Sequence, residues 1–315
     1  MNVKFWGVRG SVPSPLLNSQ IQAKIDKVLS VISAEDLKTP SAKKDFLKSL
    51  PPWVYGTIGG NTPCVQLTSS DNSVFFLDMG SGARSYSIWG KKPKNNHYYI
   101  FQSHFHWDHI QGLPFFSPVF DGLSKIDFYS ANPESKDIIA FQHKSPYFPP
   151  DASWNHIKER FNFHTMKEGQ VFEIGKVKIK LRKMNHPGDS YAYSFEENGK
   201  KLIYATDVEL RDEDFIENES TNDFFKDADV LILDSQYSEE DALTVKKDWG
   251  HTSYNKAIDF ASFWKVKKLY LFHHDPFYDD EKIFSLYEKA LLYAKEKGLC
   301  NMEIKLAIEG QEFDL

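Results

Sequence analysis

The sequence predicts an α/β fold, and three observations carry that prediction. Short apolar runs of strand length recur from one end to the other. Stretches with apolar residues at helical spacing lie between them. Several runs end abruptly in histidine or aspartate, which suits a site built at strand ends. Strands are expected near 3–8, 65–68, 74–77 and 98–101 in a first half. A second half should add 171–174, 177–181, 191–195, 202–205, 230–233 and 269–272. Tyr99-Ile100-Phe101-Gln102 reads as the end of a buried strand. Val177-Lys178-Ile179-Lys180-Leu181 is strand-like, and Leu202-Ile203-Tyr204 and Leu269-Tyr270-Leu271-Phe272 are apolar runs. Residues 254–263 place Ala257, Ile258 and Ala261 at helical spacing. Ile21, Ile25, Val28, Leu29 and Ile32 do the same, and a second short helix over 41–50 follows Thr39-Pro40.

Composition bounds the rest. The chain has 315 residues without a Pro/Gly/Ser linker or a repeat. One domain over 1–315 is expected, with a helical insertion at about 15–55 and a variable one at about 132–164. With 38 basic and 44 acidic residues the net charge is −6, which argues against a dedicated nucleic-acid binder. Two cysteines, Cys64 and Cys300, make no disulfide framework. No apolar stretch reaches the roughly 18 residues of a membrane span. A reduced cytoplasm is the expected setting.

His104-Phe105-His106-Trp107-Asp108-His109 is the most informative segment. In extended chain, residues two apart point the same way, so His104 and His106 can grip one metal ion. Asp108 and His109 come after the chain starts to turn. They suit a second ion, in the manner of two-metal hydrolytic sites. Two ions need more than four ligands, and the remaining candidates end other strands. His186, in Asn185-His186-Pro187-Gly188, completes the first shell or is a plain turn histidine. Asp207, in Ala205-Thr206-Asp207, bridges both ions or only caps a turn. His273 serves the second ion, and its neighbour His274 faces the other way.

These segments resemble the metallo-β-lactamase superfamily. Within it the chain is similar to the branch of phosphoribosyl 1,2-cyclic phosphate phosphodiesterase and tRNase Z-like hydrolases. The matching stretches run nearly end to end. They are Phe5-Trp6-Gly7-Val8-Arg9-Gly10-Ser11, Gly59-Gly60-Asn61-Thr62, Leu77-Asp78-Met79-Gly80-Ser81-Gly82, the His104 motif, Asn185-His186-Pro187-Gly188, Ala205-Thr206-Asp207, Gly250-His251-Thr252-Ser253 and Leu271-Phe272-His273-His274-Asp275-Pro276. The resemblance implies an αββα sandwich, two mixed β-sheets face to face with helices outside. It implies His104, His106 and His186 on one metal, Asp108, His109 and His273 on the other, and Asp207 bridging. Asp78 would orient ligands from behind. His273 is favoured over His274, which is left to touch substrate or support a ligand.

Two divalent ions bring four positive charges, and Asp108 and Asp207 remove two. The centre keeps about two before its bridging hydroxide is counted, which suits a phosphodiester monoanion. His and Asp donors accommodate zinc, manganese, iron or cobalt, with zinc the leading expectation. The leaving alkoxide needs a proton. His251, in Gly250-His251-Thr252-Ser253, is the candidate donor; otherwise it is a helix-entry residue. Asp108 could accept the attacking water's proton while ligating metal. The leading expectation is therefore a dinuclear phosphodiesterase for small cyclic phosphates or cyclic nucleotides. A tRNase Z-type endoribonuclease and a non-catalytic nucleotide-sensing module are the alternatives. An obvious Gly/Pro-rich basic arm is lacking, which counts against tRNA processing. The 15–55 helices would roof the site, make a homodimer contact or pack on the side. Tyr147-Phe148-Pro149-Pro150 with His143, Trp154 and His156 would stack a nucleobase or simply pack.

Overall fold

The computed structural model describes residues 1–244, 246, 248–299 and 301–315. Cys64 is buried and free, whereas Cys300 lies outside the described residues. The first sheet takes β1 (Asn2–Gly7), β2 (Cys64–Thr68), β3 (Val74–Leu77), β4 (His97–Gln102), β5 (Lys125–Ser130) and β6 (Phe161–Thr165). The second takes β7 (Phe172–Ile174), β8 (Val177–Met184), β9 (Ser190–Glu197), β10 (Lys200–Ala205), β11 (Val230–Asp234), β12 (Lys268–Phe272) and β13 (Glu303–Leu306). The last strand, β14 (Glu312–Asp314), crosses back and pairs with β1. The orders are β14-β1-β2-β3-β4-β5-β6 and β13-β12-β11-β10-β9-β8-β7. Both sheets are mixed: pairing is antiparallel from β14 to β3 and from β7 to β10, and parallel elsewhere.

Side-chain alternation explains the layering. In β3 every residue is buried, but Phe75 and Leu77 enter one core while Val74 and Phe76 enter another. The first core includes the space between the sheets, where Phe101 meets Phe195 edge-on at 5.2 Å. The second lies under the helix Gly82–Trp89, where Phe76 meets Tyr86 at 4.7 Å. Full burial of one such ring is worth roughly 2–3 kcal/mol. A strand buried on both faces reads as a continuous apolar run, which is why β3 was legible.

Four strands were not expected: β5, β6, β13 and β14. Because β6 starts at Phe161, the end of the stretch expected as variable belongs to the sheet. The helix Pro40–Ser49 follows its Thr39 cap, whose Oγ1 accepts from Ala42 N at 3.1 Å. The helix Asn18–Val31 also forms, but its apolar stripe faces solvent: Ile21 is 44%, Ile25 52% and Leu29 64% exposed. A polar residue holds it instead. Lys24 Nζ donates to Asp280 at 2.6 Å and to Gly56 O at 2.7 Å. No helix among the described residues is long and apolar enough to cross a membrane.

Strands β3 and β4 run parallel, as do β10, β11 and β12, with β8 aligned to them through β9. Their C-terminal ends meet on one edge of the sandwich. Tyr204 near the end of β10 donates to Asp78 just after β3 at 2.8 Å. Tyr193 in β9 donates to Gln102 O at 2.7 Å.

Candidate metal centre

That edge brings together His104, His106, Asp108, His109, His186, Asp207 and His273. Donor atoms of His104, His106, His186 and Asp207 all lie within 4.8 Å of one another. The same holds for Asp108, His109, Asp207 and His273. Asp207 belongs to both groups and divides its oxygens between them. One oxygen stands 3.1 Å from His109 Nε2 and 3.2 Å from His273 Nε2. The other stands 3.5 Å from His104 Nε2 and 3.7 Å from His186 Nε2.

The backbone aims these groups. Asp78, Asp207 and His273 each follow a strand and have positive φ, at 62°, 49° and 64°. Few residues other than glycine adopt that conformation, and Asp and His are among those that do, held there by their surroundings. Gly10 packs directly on His273: a Cβ at Gly10 would lie 2.7 Å from its Cε1. At Gly250 a Cβ would lie 2.3 Å from His186 Nδ1, so only glycine lets the backbone pass there.

A second layer fixes the imidazoles. Asp78 is fully buried and accepts from Ser103 N at 2.7 Å, Ser103 Oγ at 2.7 Å, Gln102 at 3.0 Å and Tyr204 at 2.8 Å. His109 Nδ1 also donates to it at 2.8 Å, which turns Nε2 toward the centre. His186 Nδ1 donates to Gly250 O at 2.7 Å. His273 Nδ1 meets Gln236 Oε1 at 3.1 Å. Ser11 N donates to Asp108 at 2.7 Å.

Two observations fit cations here. His104 Nε2 is buried without a hydrogen-bond partner, and it points among other imidazole nitrogens. Such an orphan is costly unless something binds it. Charge gives the other. Burial pushes His104, His106 and His186 below the ordinary histidine range, which keeps them neutral as metal binding requires. Burial alone would lower His109 as well, but Asp207, Asp108 and Asp78 together hold it well above that range. The carboxylates thus demand a positive charge at the second group. Both clusters are able to hold metal ions.

His251 stands beside the second group. Its ring stacks on His273 with centroids 5.1 Å apart, and its Nδ1 donates to Asp234 at 2.6 Å. Donor atoms of His251, Asp234, Asp207 and His273 also cluster within 4.8 Å. Asp234 is a member of this cluster that the sequence reading missed. Its signal was present, since it ends the apolar run Leu231-Ile232-Leu233 as Asp78 ends its own.

His274 is engaged elsewhere: its Nε2 donates to Ala307 O at 2.9 Å, and the residue is buried. Among the described residues it belongs to no group of convergent donors. The aromatic stretch near 147 divides between buried and exposed side chains. His143 is buried and donates to Ile139 O, and Trp154 lies 5.7 Å from Phe161, while Tyr147 stays exposed.

Comparison with known proteins adds a second line of observation. The family described as beta-lactamase superfamily domain matches residues 90–274. The chain is 22% identical over 260 residues to ribonuclease Z of Thermoplasma volcanium, which covers 65% of this chain and 79% of that protein. Zinc-bound PqqB from Methylobacterium extorquens superposes with a TM-score of 0.66 at 13% identity, over 100% of both chains. A diphosphatase from the PhnP family superposes with a TM-score of 0.62 at 16% identity, over 100% of this chain and 97% of that one. These solved structures share the fold. With a family match over more than half its length, laid on that fold, the chain belongs to the β-lactamase superfamily as a hydrolase of metallo-β-lactamase fold.

Proposed function

We propose that the chain hydrolyses phosphodiesters, with small cyclic phosphates or cyclic nucleotides as substrates. The observation that carries this reading is His251 on Asp234, set against the second ligand group. Burial lowers this imidazole's pKa, but Asp234, with Asp207 and Asp108 behind it, outweighs burial and raises it. An imidazole anchored on a carboxylate and aimed at the centre is oriented to give a proton to a leaving alkoxide. Its Nδ1–H is engaged with Asp234, so Nε2 carries the proton to be given.

His104, His106 and His186 would hold one ion, and Asp108, His109 and His273 the other, with Asp207 between. When bound, two divalent ions would supply activated water and neutralise phosphoryl oxygens. Zinc is the expected metal, with manganese, iron or cobalt as alternatives. Asp108 keeps its Ser11 hydrogen bond and accepts a proton from attacking water. Asp78 keeps His109 in one tautomer and one orientation. We read residues 1–315 as one domain carrying the 15–55 helices and the 132–164 stretch as additions. Its work fits the cytoplasm, where thiols stay reduced.

A tRNase Z-type endoribonuclease is the second reading, favoured by relatives that bear the name ribonuclease Z. Against it stands the net charge of −6 and the lack of a basic arm. Turnover of 3′,5′-cyclic nucleotides, bis(4-nitrophenyl) phosphate and a precursor tRNA by metal-loaded protein separates the two. Cleavage of the small diesters without tRNA trimming is expected. Trimming of the tRNA at comparable efficiency would select the second reading.

A further inference from the structure

Two large exposed rings flank the segment that carries His251. Trp249 is 57% and Phe277 85% exposed. Each is tied closely to the centre by the chain: Trp249 precedes Gly250-His251, and Phe277 follows His273 by four residues. Between them stands one ammonium. Lys246 Nζ lies 4.0 Å from the Trp249 ring centroid, 5.9 Å from Phe277 and 5.7 Å from Tyr237. Trp249 N donates to Lys246 O at 3.3 Å, a single turn that sets both side chains to one side. Tyr237 connects this rim to the proton donor, since its ring meets His251 edge-on at 5.6 Å. Lys246 forms no ion pair with any described carboxylate, and its charge reaches Asp241 and Asp275 only from a distance.

A cation resting on aromatic faces is loosely held when solvent is near. It exchanges readily for a better partner. A planar base can take the ring faces, because stacking on aromatic side chains tolerates any nucleobase. The freed ammonium then has a phosphoryl oxygen to meet. A phosphate ester bearing only a small sugar or alkyl group would leave both rings uncovered.

We propose that Trp249, Phe277 and Lys246 form a nucleobase-and-phosphate subsite beside the candidate metal centre, so that the preferred substrate is a nucleotide phosphodiester rather than a base-free one. This rests on the phosphodiesterase reading above. The rings hold the base, Lys246 steers the phosphate, and His251 lies next to the bond that breaks.

The test uses two esters with one leaving group: thymidine 5′-(4-nitrophenyl phosphate) and methyl 4-nitrophenyl phosphate. Metal-loaded protein should favour the thymidine ester by roughly tenfold or more in kcat/KM, mainly through KM. The Trp249→Ala/Phe277→Ala double variant should lose that preference and keep its turnover of the methyl ester. Lys246→Gln should weaken binding of the thymidine ester and flatten its salt dependence. Calorimetric binding of thymidine 5′-monophosphate, compared with methyl phosphate, gives a readout independent of turnover. Hydrolysis of both esters without a nucleoside preference, or with a preference that the double variant retains, would overturn the subsite and leave the phosphodiesterase reading standing. If neither ester is cleaved, that reading falls. The subsite is then judged on binding alone: selective loss of thymidine monophosphate binding in the double variant supports it, and equal binding by both proteins overturns it.

Discussion

His97 and His164 share the carboxylate of Asp127 on neighbouring strands of the first sheet, at 2.5 Å and 2.6 Å. At the strand ends of the same molecule, five histidines and two aspartates surround one small space. The ingredients are alike and the wiring is not. In the first cluster each Nε2 is already bonded to the carboxylate; His164 stacks on Tyr129, and His97 lies tilted against Tyr99. In the second, buried partners take Nδ1 of His109, His186 and His273, so Nε2 of each is aimed inward. His104 Nε2 is left with no partner. Among the described residues, no group of convergent donors includes Asp127. A metal-competent cluster is thus recognised by where its hydrogen bonds go, behind the ligands or across them.

The contrast breaks most easily at the shared carboxylate. Asp207→Ala removes the side chain that, among the described residues, belongs to both groups. The purified variant should lose both ions by elemental analysis and lose measurable turnover. Full metal content in an active variant would end the bridging assignment. His273→Ala should cost one ion of the two, whereas His274→Ala, bonded to Ala307 O, should leave metal content unchanged. The reverse result would place the ligand one residue later.

His251→Ala tests chemistry apart from metal. Both ions should stay, and turnover of an alkyl or cyclic ester should fall by roughly two to four orders of magnitude. A nitrophenyl ester, whose leaving group needs little protonation, should suffer much less. Equal losses on both substrates would make His251 a binding residue.

Asp78→Asn reaches the centre through its support. Five hydrogen bonds end on this carboxylate, and an amide would turn an N–H toward some of those donors. Metal affinity should fall by roughly 10- to 100-fold, with the ligands themselves intact. Unchanged affinity, read by competition with a chromogenic chelator, would show that His109 is held without it.

What was legible follows the same division between local and distant causes. The His104 motif is contiguous, so spacing alone announced it. Strands β3 and β12 are continuous apolar runs and were equally plain. Strand β14 was not: Asn2 pairs with Asp314, a contact with no local signature. Asp234 carried the same signal as Asp78 and Asp207, a carboxylate ending an apolar run. Its role shows only once the helix start at Ser253 brings His251 onto it. The stripe Ile21, Ile25 and Leu29 predicted the helix, and it is exposed in this chain. Periodicity fixes conformation, but Lys24 on Asp280 decided the docking.

The smallest effect is expected at the other histidine cluster. Burial raises the Asp127 carboxyl, yet His164 and His97 outweigh it and hold the group below its ordinary range. The native state then binds fewer protons than the unfolded chain, whose carboxyl titrates near pH 3.9. The stabilisation is fully present above about that pH and is lost as pH falls through the lower native value. Asp127→Asn should therefore cost roughly 1 kcal/mol at neutral pH by denaturant unfolding, and the gap from wild type should close in acid. Metal content and kcat/KM should not change, because Asp127 belongs to neither donor group. A gap that widened on acidification would reverse the sign assigned to Asp127. A loss of metal would erase the distinction between the two clusters.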